Sequence, residues 1–254
     1  MGAGHSHALY VHEHSPIHRL APEAKLVAAF GIVAAVAVTP RQAVWAFIVY
    51  AVLVAGLVAI AQLSPGFVAW RLLAVAPFVL FAFFLPFIAG GESMEIGGVA
   101  VSVDGLWGMW NVLVKATLGA TVSIILTATT EVADIIRGLG VLRVPGLFTA
   151  IATFMVRYLE LIVDEVGRMR VAMTSRGYDP RWISQARPIA SAGGALFVRS
   201  YERGERVHAA MLARGFTGEM PGFDHPHAGS RDWMAVVSVV GSAALITALA
   251  LIST

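Results

Sequence analysis

The 254-residue chain has no cysteine, which excludes disulfide frameworks and thiolate metal sites. Charge is also scarce. Asp, Glu, Lys and Arg together make up 13% of the residues, against about 25% in an ordinary soluble domain. A Gly-rich phosphate loop ending in Lys-Ser or Lys-Thr is missing, so the chain is not expected to bind ATP itself. The apolar segments hold no Ser/His/Asp set and no carboxylate pair, which argues against an intramembrane hydrolase. What is abundant is apolar surface, with 57% hydrophobic residues. The composition is that of an integral membrane protein. The N-terminus is polar and His-rich, unlike a cleaved signal peptide.

A bilayer core of about 30 Å takes roughly 20 helical residues. Apolar segments of that order run over 22–38, 42–62, 67–90, 106–130 and 232–252, which predicts about five transmembrane helices. Lys25, at the start of the first, is placed to snorkel toward the headgroups. Pro77 and Pro86 predict a kink in the third. Lys115 and Asn111 fall one turn apart within the fourth, where polar groups need partners, and Glu131, Asp134 and Arg137 are expected to end that helix. Between the third and fourth spans, Gly97-Gly98 separates two short alternating runs, the pattern of a small β-hairpin loop.

The net charge of +2 conceals a strong asymmetry. Twelve of the 18 Lys and Arg residues lie between Asp134 and Arg214, against seven acidic ones. Basic loops stay on the cytoplasmic side. The N-terminus is therefore expected in the cytoplasm, the acidic hairpin outside and the C-terminus outside. Arg41 then falls on the outer side, against the rule. The reading divides the chain into a membrane domain (1–133) with a His-rich start and four spans, a cytoplasmic region (134–230) and a C-terminal transmembrane helix (231–254).

The cytoplasmic region is too polar for membrane spans yet strongly periodic. Phe154, Tyr158, Leu161, Ile162, Val166, Met169 and Met173 fall on one helical face. Arg157, Glu160, Asp164 and Arg168 line another. After a break at Gly177–Pro180, a second helix places Phe197, Tyr201, Val207 and Met211 on one side. Arg199, Glu202, Arg203 and Arg206 lie opposite or flanking. These are two long amphipathic helices. Their ends repeat: AMTSRGY over 172–178 and AMLARGF over 210–216. At an offset of 38, Arg168 matches Arg206, Met173 matches Met211, Arg176 matches Arg214, and Gly177 matches Gly215. A glycine stop after a last-turn arginine is an ordinary helix end. Its repetition suits a partner presenting two similar grooves, with arginine suited to a forked carboxylate contact.

Arg157-Tyr158-Leu159 with Glu165, Arg168, Ala172 and Ser175-Arg176-Gly177 resembles the first coupling helix of the transmembrane T component of energy-coupling factor (ECF) transporters. The stretch from Ser200 to Arg206, leading to Ala213-Arg214-Gly215-Phe216, is similar to the second. Ser15 through Lys25 resembles the opening of the CbiQ branch, associated with cobalt and nickel. Two positions depart from the family pattern: Ala21, where Asp is usual and would cap a helix, and Ser175, where Ala is common.

The resemblance implies an all-α integral membrane protein: about five transmembrane helices, two long amphipathic cytoplasmic coupling helices and a small extracytoplasmic β-hairpin loop. It implies a scaffold rather than an enzyme, in a bacterial inner membrane. Two ATP-binding subunits, carrying ATP and Mg, would dock on Ser175, Arg176, Gly177, Ala213, Arg214 and Gly215. Arg157, Glu165, Arg168 and Arg206 would support the coupling helices. A substrate-binding membrane S component would complete a cobalt importer, with no cofactor on this chain. The alternative is a stand-alone channel or carrier whose basic helices bind lipid or a regulator. Metal ligation by His5, His7, His12, His14 and His18 lacks a framing ligand pattern, and His225 and His227 offer less still.

Overall fold

The computed structural model describes residues 15–90, 93–96, 99–179, 185–217 and 228–253. In chain order the helices are α1 (Pro22–Val38), α2 (Val44–Ile60), α3 (Pro65–Leu72), α4 (Ala76–Ile88), α5 (Val103–Thr129), α6 (Val132–Val141), α7 (Gly146–Ser175), α8 (Arg187–Ala213) and α9 (Ser230–Ser253). Strands β1 (Ser93–Ile96) and β2 (Val99–Ser102) pair antiparallel between α4 and α5, with Ser93 opposite Ser102. The Gly97-Gly98 turn lies outside the described residues. Two compact units divide the helices: α1–α6 with α9, and α7 with α8.

Local chemistry explains several boundaries. Ala21 is extended and supplies no side-chain cap to α1, which starts instead on Pro22, where the missing N–H costs nothing. The Ser64 hydroxyl caps α3 by accepting from the Phe67 N–H. The expected kink is a 3-10 turn at Leu73–Val75 separating α3 from α4, with Pro77 in the first turn of α4 and Pro86 inside it. Ser102 caps α5 by accepting from the Gly105 N–H.

The span count departs from the sequence reading. Among the described residues, four stretches are long and apolar enough to cross a bilayer: Pro65–Ile88, α5, α7 and α9. Helices α1 and α2 have 17 residues each, about 25 Å at 1.5 Å per residue. That is the short end of the roughly 17–25 residues that span a bilayer core. Helix α7 qualifies through its first half, which carries no charge before Arg157. A second correction concerns the end of the fourth predicted span. Helix α5 stops at Thr129 and Thr130 is extended, so Asp134 and Arg137 form an ion pair on the separate helix α6, with Glu131 at its N-cap.

In the membrane unit, α1 packs against α5, α6 and α9, while α2 packs against α5 and α9. Ile32, Val36, Phe47, Val54, Leu118, Val122, Ile125 and Ile246 form the buried core. The fully buried Tyr50 hydroxyl donates to the Ala243 carbonyl at 2.8 Å and meets the Thr247 hydroxyl at 2.6 Å.

Lys25 does not snorkel. It is 7% exposed, and its Nζ donates to the Thr129 carbonyl at 2.8 Å and the His18 carbonyl at 3.2 Å. Lys115 on α5 donates in return to the Ala37 carbonyl at 2.7 Å. Each lysine thus caps the carbonyl end of the other helix, where positive charge is favoured. Nearby, the Glu23 carboxylate accepts the Ala228 N–H at 2.7 Å, just before α9. Arg41, the exception to the charge rule, pairs with Asp104 at 2.9 Å. Lys25→Met is expected to lower stability by about 1–3 kcal/mol, the usual cost of stranding a buried acceptor. Thermal unfolding in detergent reads this directly, and an unshifted midpoint would refute the reciprocal cap.

Candidate functional site

The repeated stretches of sequence are built as the same structure. Helix α7 ends at Ser175, and Arg176 follows as its C-cap residue. Gly177 then takes φ +79, a left-handed conformation that glycine adopts without a Cβ penalty. The Gly177 N–H donates to the Thr174 carbonyl at 2.9 Å and the Tyr178 N–H to the Met173 carbonyl at 3.1 Å. Helix α8 ends at Ala213, with Arg214 as C-cap residue and Gly215 at φ +83. There the Gly215 N–H donates to the Leu212 carbonyl and the Phe216 N–H to the Met211 carbonyl, both at 3.0 Å. Both ends are Schellman motifs.

Their exposure matches as well. Arg176 and Arg214 stand exposed, while Met173 and Tyr178, like Met211 and Phe216, are half-buried. Neither arginine forms an ion pair among the described residues. Each end therefore offers an unpaired guanidinium on a rigid cap, flanked by methionine and an aromatic ring. Such a group is suited to a forked contact with a carboxylate. The two ends differ in their anchorage. The Tyr178 hydroxyl donates to the Gln185 carbonyl at 2.5 Å, ahead of α8. Phe216, without a hydroxyl, lines the groove between α7 and α8 together with Met211.

That groove has a volume of about 500 Å³ and is walled by Phe154, Tyr158 and Ile162 of α7 and by Val207 and Met211 of α8. These residues are where the helical periodicity places them. Phe197 and Tyr201, expected on the same face of α8, are instead exposed at 71% and 60%. Apolar surface on α7 extends past the groove through Phe148, Met155, Leu159 and Val166, all exposed.

Of the four supporting residues, Glu165 is the one the structure builds around. It is 7% exposed and, among the described residues, the only buried one of α7. Its Oε1 accepts from Arg199 at 3.1 Å and its Oε2 from Arg203 at 3.5 Å, both on α8. Glu165 lies beyond the apolar half of α7, where both guanidiniums face its carboxylate. The helical pattern sets these two arginines on the far or flanking side of α8, whereas they turn toward α7. Their partner was signalled by the offset of 38, which sets Glu165 against Arg203. Arg206 pairs within its own helix with Glu202 at 3.8 Å, and Arg157 and Arg168 are exposed.

Elsewhere, Lys115 is occupied by the Ala37 carbonyl, and the Asn111 Oδ1 is buried without a partner among the described residues. The His18 ring meets the Ser15 hydroxyl at 2.7 Å. His5, His7, His12, His14, His225 and His227 lie outside the described residues.

Residues 13–223 match the family model described as CbiQ, cobalt transport protein. The cobalt transport protein CbiQ of Rhodobacter capsulatus is 28% identical over 159 residues, 59% of this chain and 61% of that protein. The match thus spans less than two thirds of that relative's length. The energy-coupling factor transporter transmembrane protein EcfT of Streptococcus thermophilus is 26% identical over 82% of this chain and 84% of its own length. Its counterpart in Listeria innocua is 24% identical over 82% and 83%.

Proposed function

Since the chain belongs to the CbiQ family of cobalt transport proteins, we propose that it is the membrane scaffold and coupling subunit of an ECF-type importer. It is a multi-pass membrane protein: among the described residues four stretches are long and apolar enough to cross a bilayer, of which α7, charged from Arg157 onward, is assigned with α8 to the cytoplasmic side. In this reading the ends of α7 and α8 each dock one ATP-binding subunit through Ser175-Arg176-Gly177 and Ala213-Arg214-Gly215. ATP and Mg belong to those subunits, and this chain carries out no chemistry. A substrate-binding membrane subunit sits against the exposed apolar surface of α7 and α8, including their groove. The cargo is a cobalt ion, held by that subunit rather than by this one.

The observation that carries the reading is the pair of helix ends. They share their capping hydrogen bonds, their positive-φ glycine and their exposed arginine. A single binding surface would need one such end. A partner with two equivalent surfaces needs two. The proposed orientation places α7, α8 and the N-terminus in the cytoplasm, and β1–β2 and the C-terminus outside. The concentration of arginine between 134 and 214 supports it. The Arg41–Asp104 pair neutralises the one cation left on the outer side.

The test is reconstitution in liposomes. The chain together with two ATPase subunits and a membrane S component is expected to take up radiolabelled cobalt only with ATP present. The chain alone should neither transport cobalt nor hydrolyse ATP. Cobalt flux through the lone chain would overturn the scaffold reading in favour of a channel or carrier. ATP-driven uptake of a different ion would keep the scaffold and reject the cargo.

A further inference from the structure

The repeat that equates the two helix ends extends inward. At the same offset of 38, Asp164 corresponds to Glu202, Arg168 to Arg206, and Ala172 to Ala210. One position inside this run reverses its charge. Glu165 corresponds to Arg203, and these two equivalent residues are in contact, with Oε2 to guanidinium at 3.5 Å. The contact sets equivalent positions of the two repeats face to face. The two helices are thus joined at equivalent positions, and the reversed charge is what allows the position to pair with its counterpart.

This fixes the arms. Arg176 lies 11 residues beyond Glu165, and Arg214 lies 11 residues beyond Arg203. The groove is walled by the first half of α7 and the last half of α8. The Arg214 end therefore runs back along the start of α7, on the opposite side of the crossing from Arg176. Two arms of three turns give the arginines a separation of up to about 33 Å along the helices. The carboxylate at the crossing has two cationic partners. Glu165 is nearly enclosed and both its oxygens are used, with Arg199 supplying the second guanidinium. Burial elsewhere along the pair is only partial: Ile162 on α7 and Ser200 and Val207 on α8 are half-buried, and α8 has no buried residue among those described.

We propose that Glu165, gripped by Arg199 and Arg203, is a positioning residue that pins α7 to α8 at equivalent positions and so sets the spacing of the two arginine-bearing ends. The pin rests on the docking reading for its use, since the spacing matters because two partner surfaces must be met at once. Its geometry can be tested without any partner.

The chain has no cysteine, so spin labels can be placed cleanly at the equivalent exposed positions Thr174 and Leu212 (T174C with L212C). The full chain in nanodiscs is expected to give one narrow label-to-label distance. Glu165→Gln keeps the size of the side chain and removes its charge, and should broaden that distribution. Glu165→Arg should displace it by about a helical turn, ~5 Å. The swap Glu165→Arg with Arg203→Glu should restore the narrow peak, which a general packing defect would not do. An unchanged distribution in both single variants, or a swap that stays broad, overturns the pin. ATPase retention by Arg176→Glu with Arg214→Glu, measured separately, bears on the docking reading alone.

Discussion

Reversing both arginines, Arg176→Glu with Arg214→Glu, is expected to strip the ATP-binding subunits from the purified complex and abolish ATP-driven uptake. Both guanidiniums are exposed and unpaired within the described chain, so their replacement removes no internal contact. The monomer should therefore fold and unfold as the parent does. Removing one partner of a buried, hydrogen-bonded charge pair costs about 2–5 kcal/mol. At a factor of ten per 1.4 kcal/mol, each end would lose about 30-fold or more in affinity. Reversal adds repulsion to that loss.

Single variants sharpen the expectation. The two ends share their caps and exposure, so Arg176→Glu and Arg214→Glu should weaken retention to a similar degree. Each should leave a complex that still holds one subunit firmly. Arg170→Glu is the control, an exposed cation on the same helix away from the cap. It should change retention little, because a solvated surface charge contributes about 0–1 kcal/mol. Loss of the subunits in Arg170→Glu as well would mean that net charge, and not the built ends, holds them. Retention in the double variant would remove the basis for a two-pronged dock.

The helix ends were readable because their determinants are local. A residue pair Arg-Gly after an apolar periodicity specifies the left-handed stop within a few residues, and AMTSRGY and AMLARGF contain all of it. Groove residues such as Phe154, Tyr158, Val207 and Met211 were readable from the same periodicity. Lys25 was not, because its acceptor is the Thr129 carbonyl, 104 residues away. From sequence, a lysine at the mouth of an apolar helix looks free to reach water. The enclosure of Glu165 was hidden for a related reason. An isolated helical wheel separates a charged face from an apolar one, but only the crossing decides which charge is turned inward. Phe197 and Tyr201 show the converse, apolar periodicity on a face that this chain leaves uncovered. The span count failed on length. Helices α1 and α2, with 17 residues each, stand at the short end of what spans a bilayer, and α7 is apolar for half its course, so composition alone sorts them poorly.

Gly105→Val is expected to cause a large loss of stability in the membrane unit. A Cβ on Gly105 would stand 2.6 Å from both the Leu85 carbonyl oxygen and the Pro86 Cα. Those are backbone atoms of α4, so no side-chain rotation can relieve the clash. Helix α4 packs mainly on α5 and turns Phe78, Phe81, Phe84 and Phe87 away from the protein. Forcing the two apart therefore releases α4 from its main support. Overpacking a tight site costs about 1–3 kcal/mol, occasionally more, and valine adds two further methyls. Even Gly105→Ala should destabilise. In the same helix, a methyl added at Gly119 would meet nothing within 4 Å. Gly119→Ala should be neutral or stabilise by up to about 1 kcal/mol through helix propensity. Gly138→Ala belongs between them, since its Cβ would meet the Glu23 nitrogen at 3.1 Å and the Leu26 side chain at 2.8 Å. Thermal unfolding of the three alanine variants in one detergent should rank them Gly105, Gly138, Gly119 from most to least damaging. Equal midpoints for Gly105→Ala and Gly119→Ala would refute the close approach of α4 to α5 on which this order depends.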